Sequence, residues 1–139
     1  MAVMRERPYG NANFLVGFGR QDASTSAAGF AEVVFPPFDA DAGEGVQTKA
    51  TGNCHLVLKR GLTGNLDLYE WWNKARAGKA PQRRTVTVEL LAEDHRSVVV
   101  TWRFRNARPV SLSYSPLCAL EGGVVIETLE LAFDGVEMA

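Results

Sequence analysis

The sequence has few of the residues that most often carry catalytic or metal chemistry. Its 139 residues include two cysteines and two histidines, too few for a disulfide framework or a paired-cysteine metal motif. Cys54 and His55 are adjacent, but neighbours on a strand point to opposite faces and cannot easily share a metal ion. We therefore predict reduced thiols, no metal site and no cofactor.

The net charge is also close to zero, and the sequence has no long apolar runs. The formal net charge is −1, so no overall field draws the chain to nucleic acid or to a membrane surface. No apolar stretch approaches the ~20 residues that a bilayer-spanning helix needs. The opening stretch MAVMRERPYG carries charges without the apolar segment of a secretory signal. We expect no signal peptide and no insertion of the monomer into a membrane.

Catalytic motifs are missing as well. GFGRQD (17–22) begins like a dinucleotide-binding glycine motif, but Asp22 stands at the last glycine position and no helix is predicted after it. There is no G-x-S-x-G and no P-loop. The arginines that alternate with Trp102 and Phe104 indicate a strand with one solvent-exposed face, rather than a platform on which nucleic-acid bases stack. We predict that the protein is not an enzyme and does not read nucleic acid sequence.

Strand periodicity is what the sequence has in quantity. TVTVELL (85–91) and SVVVTWRFR (97–105) alternate around a polar turn, which predicts a hairpin. With the turn signals between them, about six or seven strands favour a sandwich or small barrel, in a single domain over residues 1–139. Residues 39–52 hold no large apolar side chain and predict an extended loop, either mobile or ordered by a partner. The other predicted strands are 13–18, 29–35, 54–59, 108–114 and 124–133.

One aromatic-rich helix is predicted over residues 65–77, ending at Gly78. Leu68, Trp72 and Ala75 recur at i, i+4 and i+7 and so share one face, which predicts Trp72 as the core residue. Elsewhere, Glu127 interrupts an apolar strand. A carboxylate in that position is either paired with an arginine or exposed at an interface.

Several stretches together resemble the tail-tube proteins of contractile phage tails and of extracellular contractile injection systems. They are RPYGNANFLV (7–16), GFAEV (29–33), LVLKRGLTGNLDLYEWW (56–72), WRFRNARPV (102–110) and VVIETLELAFDGVE (124–137). The segments occur in the family's order and cover about 40% of the chain. The combination of LKRGLTG, a short tryptophan-containing helix, RNARPV and IETLELA carries the resemblance.

The resemblance implies a mainly β fold like that of the type VI secretion tube: a barrel of two packed antiparallel sheets with one flanking α-helix. It implies a homo-hexameric ring, stacked rings around luminal protein cargo, a sheath protein outside and spike-hub or baseplate proteins at one end. Assembly would take place in the cytoplasm of the producing cell, in a particle that can act outside it. An alternative is a tube-initiator ring, since the region 35–52 departs from the family's pattern. A more distant alternative is a small-molecule-binding β-barrel.

Two groups of site residues follow from this reading. Six residues are candidate contacts between subunits, from the helix and from the 39–52 loop: Tyr69, Trp71, Asp39, Asp41, Glu44 and Lys49. Five residues on the polar sides of strands are predicted to line either the lumen or the outer wall: Thr85, Thr87, Glu89, Arg103 and Arg105.

Overall fold

The fold is given by a computed structural model, which describes residues 2–19, 29–38, 55–78 and 83–139. The predicted loop over 39–52 lies outside these residues. The described part is mainly β with a single helix, as the sequence predicts. Its elements, in chain order, are β1 (Phe14–Gly17), β2 (Phe30–Val34), β3 (Leu56–Gly61), α1 (Asp67–Arg76), β4 (Arg84–Leu91), β5 (Val98–Tyr114), β6 (Ile126–Ala132) and β7 (Gly135–Met138).

The strands form one antiparallel path in the order β1-β4-β5-β6-β3-β2, with β7 paired to β5. The first half of β5 pairs with β4 and the second half with β6, and the two halves meet at Asn106, whose φ is 53°. A left-handed residue inside a strand marks a bulge and a bend. The sequence pattern predicts two strands here, 97–105 and 108–114, and does not predict β7. The structure joins the two into one bent strand.

The core lies between the two halves of this bent sheet. Its buried side chains come from both halves and from the helix, including Val86 and Phe104 on one side and Leu58 and Leu129 on the other. No pairing joins β1 to β2 in the described ranges, so closure into a barrel is not confirmed. The rings of Phe18 and Phe30 lie 5.8 Å apart, which brings the two ends of the path together at one point.

The helix packs against the core through a different tryptophan from the one predicted. Trp71 is fully buried, 5.6 Å from the ring of Phe18, whereas Trp72 is partly exposed beneath the guanidinium of Arg76. The prediction of Trp72 as the core ring is wrong. Spacings of three and four both lie on one helix face, so periodicity from Leu68 could not choose between the two rings.

The predicted end of the helix is confirmed. Gly78 has a φ of 71° and its N–H donates to the carbonyl of Ala75, which ends the helix as predicted. A side chain at Gly17 would place Cβ 2.9 Å from Oγ1 of Thr87, so glycine permits β1 to lie close against β4. Among the residues described, no helical segment combines the length and apolarity that a bilayer crossing requires.

Candidate subunit interface

The strand register gathers the five predicted wall residues on one face of the first half-sheet. Val86, Val88 and Phe104 point into the core, so the residues that alternate with them face away from it. Thr87 lies opposite Arg103 on β5, and Arg103 lies opposite Glu137 on β7. We call this surface the polar face; its members are Thr85, Thr87, Glu89, Arg103, Arg105 and Glu137.

Glu137 is the residue of the polar face that sequence reasoning missed. Its carboxylate lies 3.2 Å from Nη1 of Arg105 and 3.9 Å from Nη1 of Arg103. About half of each of these three side chains is exposed, so water screens the pairs and each contributes little to stability. The alternation in GVEM is only four residues long, too short a signal for a strand prediction.

A second group of charges lies at the start of the helix and is buried. Arg60 on β3 donates from Nε to Oε1 of Glu127 over 2.9 Å. Its Nη2 donates to Asp67 at the first turn of α1 and to the carbonyl of Asn65 at 3.1 Å. Arg60 and Glu127 are 7% and 1% exposed. Burial alone would lower the pKa of Arg60, but the hydrogen bonds to Asp67 and Glu127 outweigh it and raise that pKa.

This network resolves the two alternatives for Glu127, which is paired and not exposed. Arg60, Glu127 and Tyr114 are register partners on β3, β6 and β5, so they form one row across the sheet. The Tyr114 hydroxyl donates to Oε2 of Glu127 over 2.8 Å. Partial burial and this hydrogen bond raise the pKa of Tyr114 to about 12. Arg60 as the partner was not predicted because strand register is not readable from local periodicity.

The RNARPV stretch (105–110) forms the bend in β5. Asn106 and Arg108 both donate to the carboxylate of Asp134, over 3.1 and 3.0 Å, at the turn between β6 and β7. Partial burial works against ionisation of Asp134, but the hydrogen bonds from Arg108 and Asn106 hold its pKa below the usual value. The turn is thereby fixed to the bulge, which directs β7 onto the first half of β5.

The structure separates the predicted subunit contacts into three kinds. Tyr69 is 41% exposed and available to a neighbour. Trp71 is 0% exposed, so it belongs to the core and its prediction as a contact is corrected. The remaining candidates, Asp39, Asp41, Glu44 and Lys49, lie outside the described residues.

The elements that position these surfaces belong to a known fold. The protein-family model described as T4-like virus tail tube protein gp19 matches residues 11–137. The chain belongs to the T4-like tail tube family. This is a family of structural tube proteins, and the resemblance stated from the sequence is confirmed. Among curated protein sequences, none matches this tail tube protein.

Solved structures share the tail tube fold along almost the whole chain. A protein in the sheath–tube complex of an extracellular contractile injection system, PVC, has a TM-score of 0.76 and 21% identity, covering 96% of this chain and 93% of that one. A protein of the anti-feeding prophage tube-terminating cap has a TM-score of 0.76 and 21% identity, covering 100% and 95%. Hcp1 from Flavobacterium johnsoniae has a TM-score of 0.60 and 15% identity, covering 91% and 94%.

Proposed function

We propose that this chain is the inner-tube subunit of a contractile injection system or phage-tail-like particle. Six copies close into a ring, and rings stack into a hollow tube for cargo. The tail tube family match, which spans residues 11–137, carries the proposal. The likeness to the PVC sheath–tube protein over nearly the full length of both chains supports it.

The described surfaces suit a subunit that is completed by copies of itself. β1 pairs only with β4 and β2 only with β3 within the described ranges, so the outer edge of each carries backbone groups without a ladder partner there. Strand edges of this kind are natural sites for association. The polar face, rich in short and charged side chains, serves as the wall of the lumen or of the outer surface.

The partners follow from the same proposal. A sheath protein surrounds the tube, baseplate or spike-hub proteins hold one end, and the particle assembles in the cytoplasm of the producing cell. Proteins of similar fold occur in a sheath–tube complex and in a baseplate, which supports these partners. The tube-initiator alternative depended on the region 35–52, most of which lies outside the described residues, and no described residue favours it. The ligand-binding alternative is not favoured, because the chain matches a family of structural tube proteins and Trp71, Phe104 and core leucines are buried between the half-sheets.

The test is the assembly state of the purified protein. Light scattering over a range of concentrations and negative-stain electron microscopy should show six-subunit rings and, at high concentration or with sheath and baseplate proteins, tubes. A chain that stays monomeric under all these conditions contradicts the proposal.

The position of the polar face is tested on the assembled tube. In a background with Cys54→Ala and Cys118→Ala, the second of which removes an exposed thiol, Thr87→Cys is labelled with a small maleimide and with a bulky polymer-linked maleimide. Labelling by both reagents places the face on the outer wall. Labelling by the small reagent alone, in tubes whose ends are closed to the polymer, places it in the lumen.

A further inference from the structure

The helix end of the molecule exposes an unusual amount of apolar surface. Leu117 and Leu120, in the connection between β5 and β6, are 84% and 98% exposed. The N–H of Leu62 donates to the carbonyl of Val125, and this bond holds the connection beside the end of β3 and the start of α1. We call the exposed residues gathered here the apolar rim: Leu62, Leu66, Tyr69, Tyr114, Leu117 and Leu120.

The area of the rim fits an interface better than a free surface. An aromatic side chain alone covers roughly 150–250 Å², so six large side chains at these exposures present on the order of 500 Å² of apolar area. The largest apolar patch on a soluble monomer is typically of this size and is often functional. A standard interface takes about 800 Å² from each partner, so the rim supplies much of what one stable contact needs.

Few charges oppose burial of the rim. Glu121 is the one charged residue of the stretch SPLCALEGGVV (115–125) that joins β5 to β6. Asp67, at the start of the helix, is paired with Arg60. Interface cores are depleted of charge because unpaired ions are costly to desolvate.

A complementary surface lies where the bent sheet is open. The ends of the strand path meet at the rings of Phe18 and Phe30, and residues of β1 and β2 also line a groove with a volume of about 690 Å³. Its one charged lining residue is Glu32, whose carboxylate lies 3.8 Å from Nζ of Lys59. We call this the seam groove; its larger apolar and aromatic lining residues include Tyr9, Phe14, Val33, Phe35, Leu90 and Trp102.

The rim and the groove are different surfaces of the chain. β2 begins at Phe30, the register partner of Arg60 beside the rim, and leads to Phe35 in the groove. Ala31 and Glu32 line both the groove and the pocket that includes Tyr114 of the rim, so the two surfaces adjoin along β2. A contact that joins two different surfaces of identical copies is head-to-tail.

We propose that the apolar rim of one copy, led by Leu117 and Leu120, docks into the seam groove of the next copy. This inference rests on the proposed tube function and names the surfaces that join its subunits. Aliphatic side chains of the rim fill the groove against aromatic rings, and the contact repeats from copy to copy because it is heterologous.

Cross-linking between copies tests the contact directly. In a background with Cys54→Ala and Cys118→Ala, Leu120→Cys and Asn11→Cys are purified separately, mixed under assembly conditions and treated with a short bismaleimide. We expect a dimer that contains one copy of each variant. Val110→Cys, 44% exposed and outside both surfaces, replaces Leu120→Cys in the control and should give at most one-tenth of that product.

Assembly measurements separate this proposal from the proposed function. Leu120→Asp removes no buried contact, so its thermal midpoint should match wild type while the concentration for half-assembly rises at least about tenfold. Val110→Asp is the matched control and should assemble as wild type does. Two results together would overturn the docking contact and leave the tube function standing. The wild-type chain would form rings without giving the cross-linked dimer, and Leu120→Asp would form rings at the same concentration as wild type. A wild-type chain that never assembles overturns both.

Discussion

The helix end and the polar face contain the same kinds of charged residue and use them differently. At the helix end, Arg60 and Glu127 are almost fully buried and fasten the helix to two strands. On the polar face, Arg105 and Glu137 are each more than half exposed, and their ion pair does not hold the core together. Burial, rather than pairing itself, decides which charges hold the fold and which remain available to a partner.

The largest effect is expected from the ring that anchors the helix end. Trp71→Ala should lower the free energy of unfolding by about 3–5 kcal/mol, because it removes a fully buried aromatic side chain and leaves a cavity beside Phe18. Trp72→Ala is the matched control one position along the helix and should cost about 1 kcal/mol. Chemical denaturation of both variants measures the difference. Equal losses, or a larger loss at Trp72, would contradict the assignment of the core ring.

The two tryptophans show how far the sequence could predict this molecule. Strands β1 to β4 and β6, the single helix and its end at Gly78 follow from local patterns of alternation, spacing and glycine. The choice between Trp71 and Trp72 does not, because it depends on the helix rotation that docking against Phe18 sets. On β4 and β5 the members of the polar face were predictable from alternation, which separates solvent-facing from core-facing positions on a strand, whereas Glu137 on the four-residue β7 was not.

Pairings between distant strands could not be predicted. Arg60 and Glu127 are 67 residues apart, and only the register of β3 with β6 brings them together. The bend at Asn106 likewise needs Asp134 from the β6–β7 turn, so the sequence pattern divided one strand into two. The hydrogen bond from Tyr114 to Glu127 depends on the register of β5 with β6.

The next effect in size is expected from the buried pair. Glu127→Ala should cost about 3 kcal/mol, because Arg60 then keeps a buried charge with Asp67 as its remaining carboxylate. Denaturant midpoints measure the loss. Glu137→Ala, which removes the exposed partner of Arg105, is the control on the polar face. If the two variants lose the same stability, burial does not distinguish the two regions.

A smaller effect is expected at the border of the buried network, from the Tyr114 hydroxyl. Tyr114→Phe should cost about 1–2 kcal/mol, since a hydrogen bond to a charged group is lost. The raised pKa gives a pH signature: the stability it reflects is fully present below the ordinary value of 10.0 and is lost as pH rises through about 12. Ultraviolet titration should show one tyrosine ionising late in wild type and none so late in Tyr114→Phe. A wild-type spectrum without the late tyrosine would exclude the bond to Glu127.

The smallest effect on stability is expected on the polar face itself. Arg105→Ala should change the free energy of unfolding by less than about 1 kcal/mol, because its pair with Glu137 is exposed and screened by water. The loss should shrink further at 1 M salt, where the Debye length is about 3 Å, whereas the cost of Glu127→Ala should persist because buried charges are screened much less. Denaturation of both variants at low and high salt makes the comparison. A salt-independent loss at Arg105 comparable to that at Glu127 would mean that the polar face holds the fold, and that its charges are not free to serve as a wall of the tube.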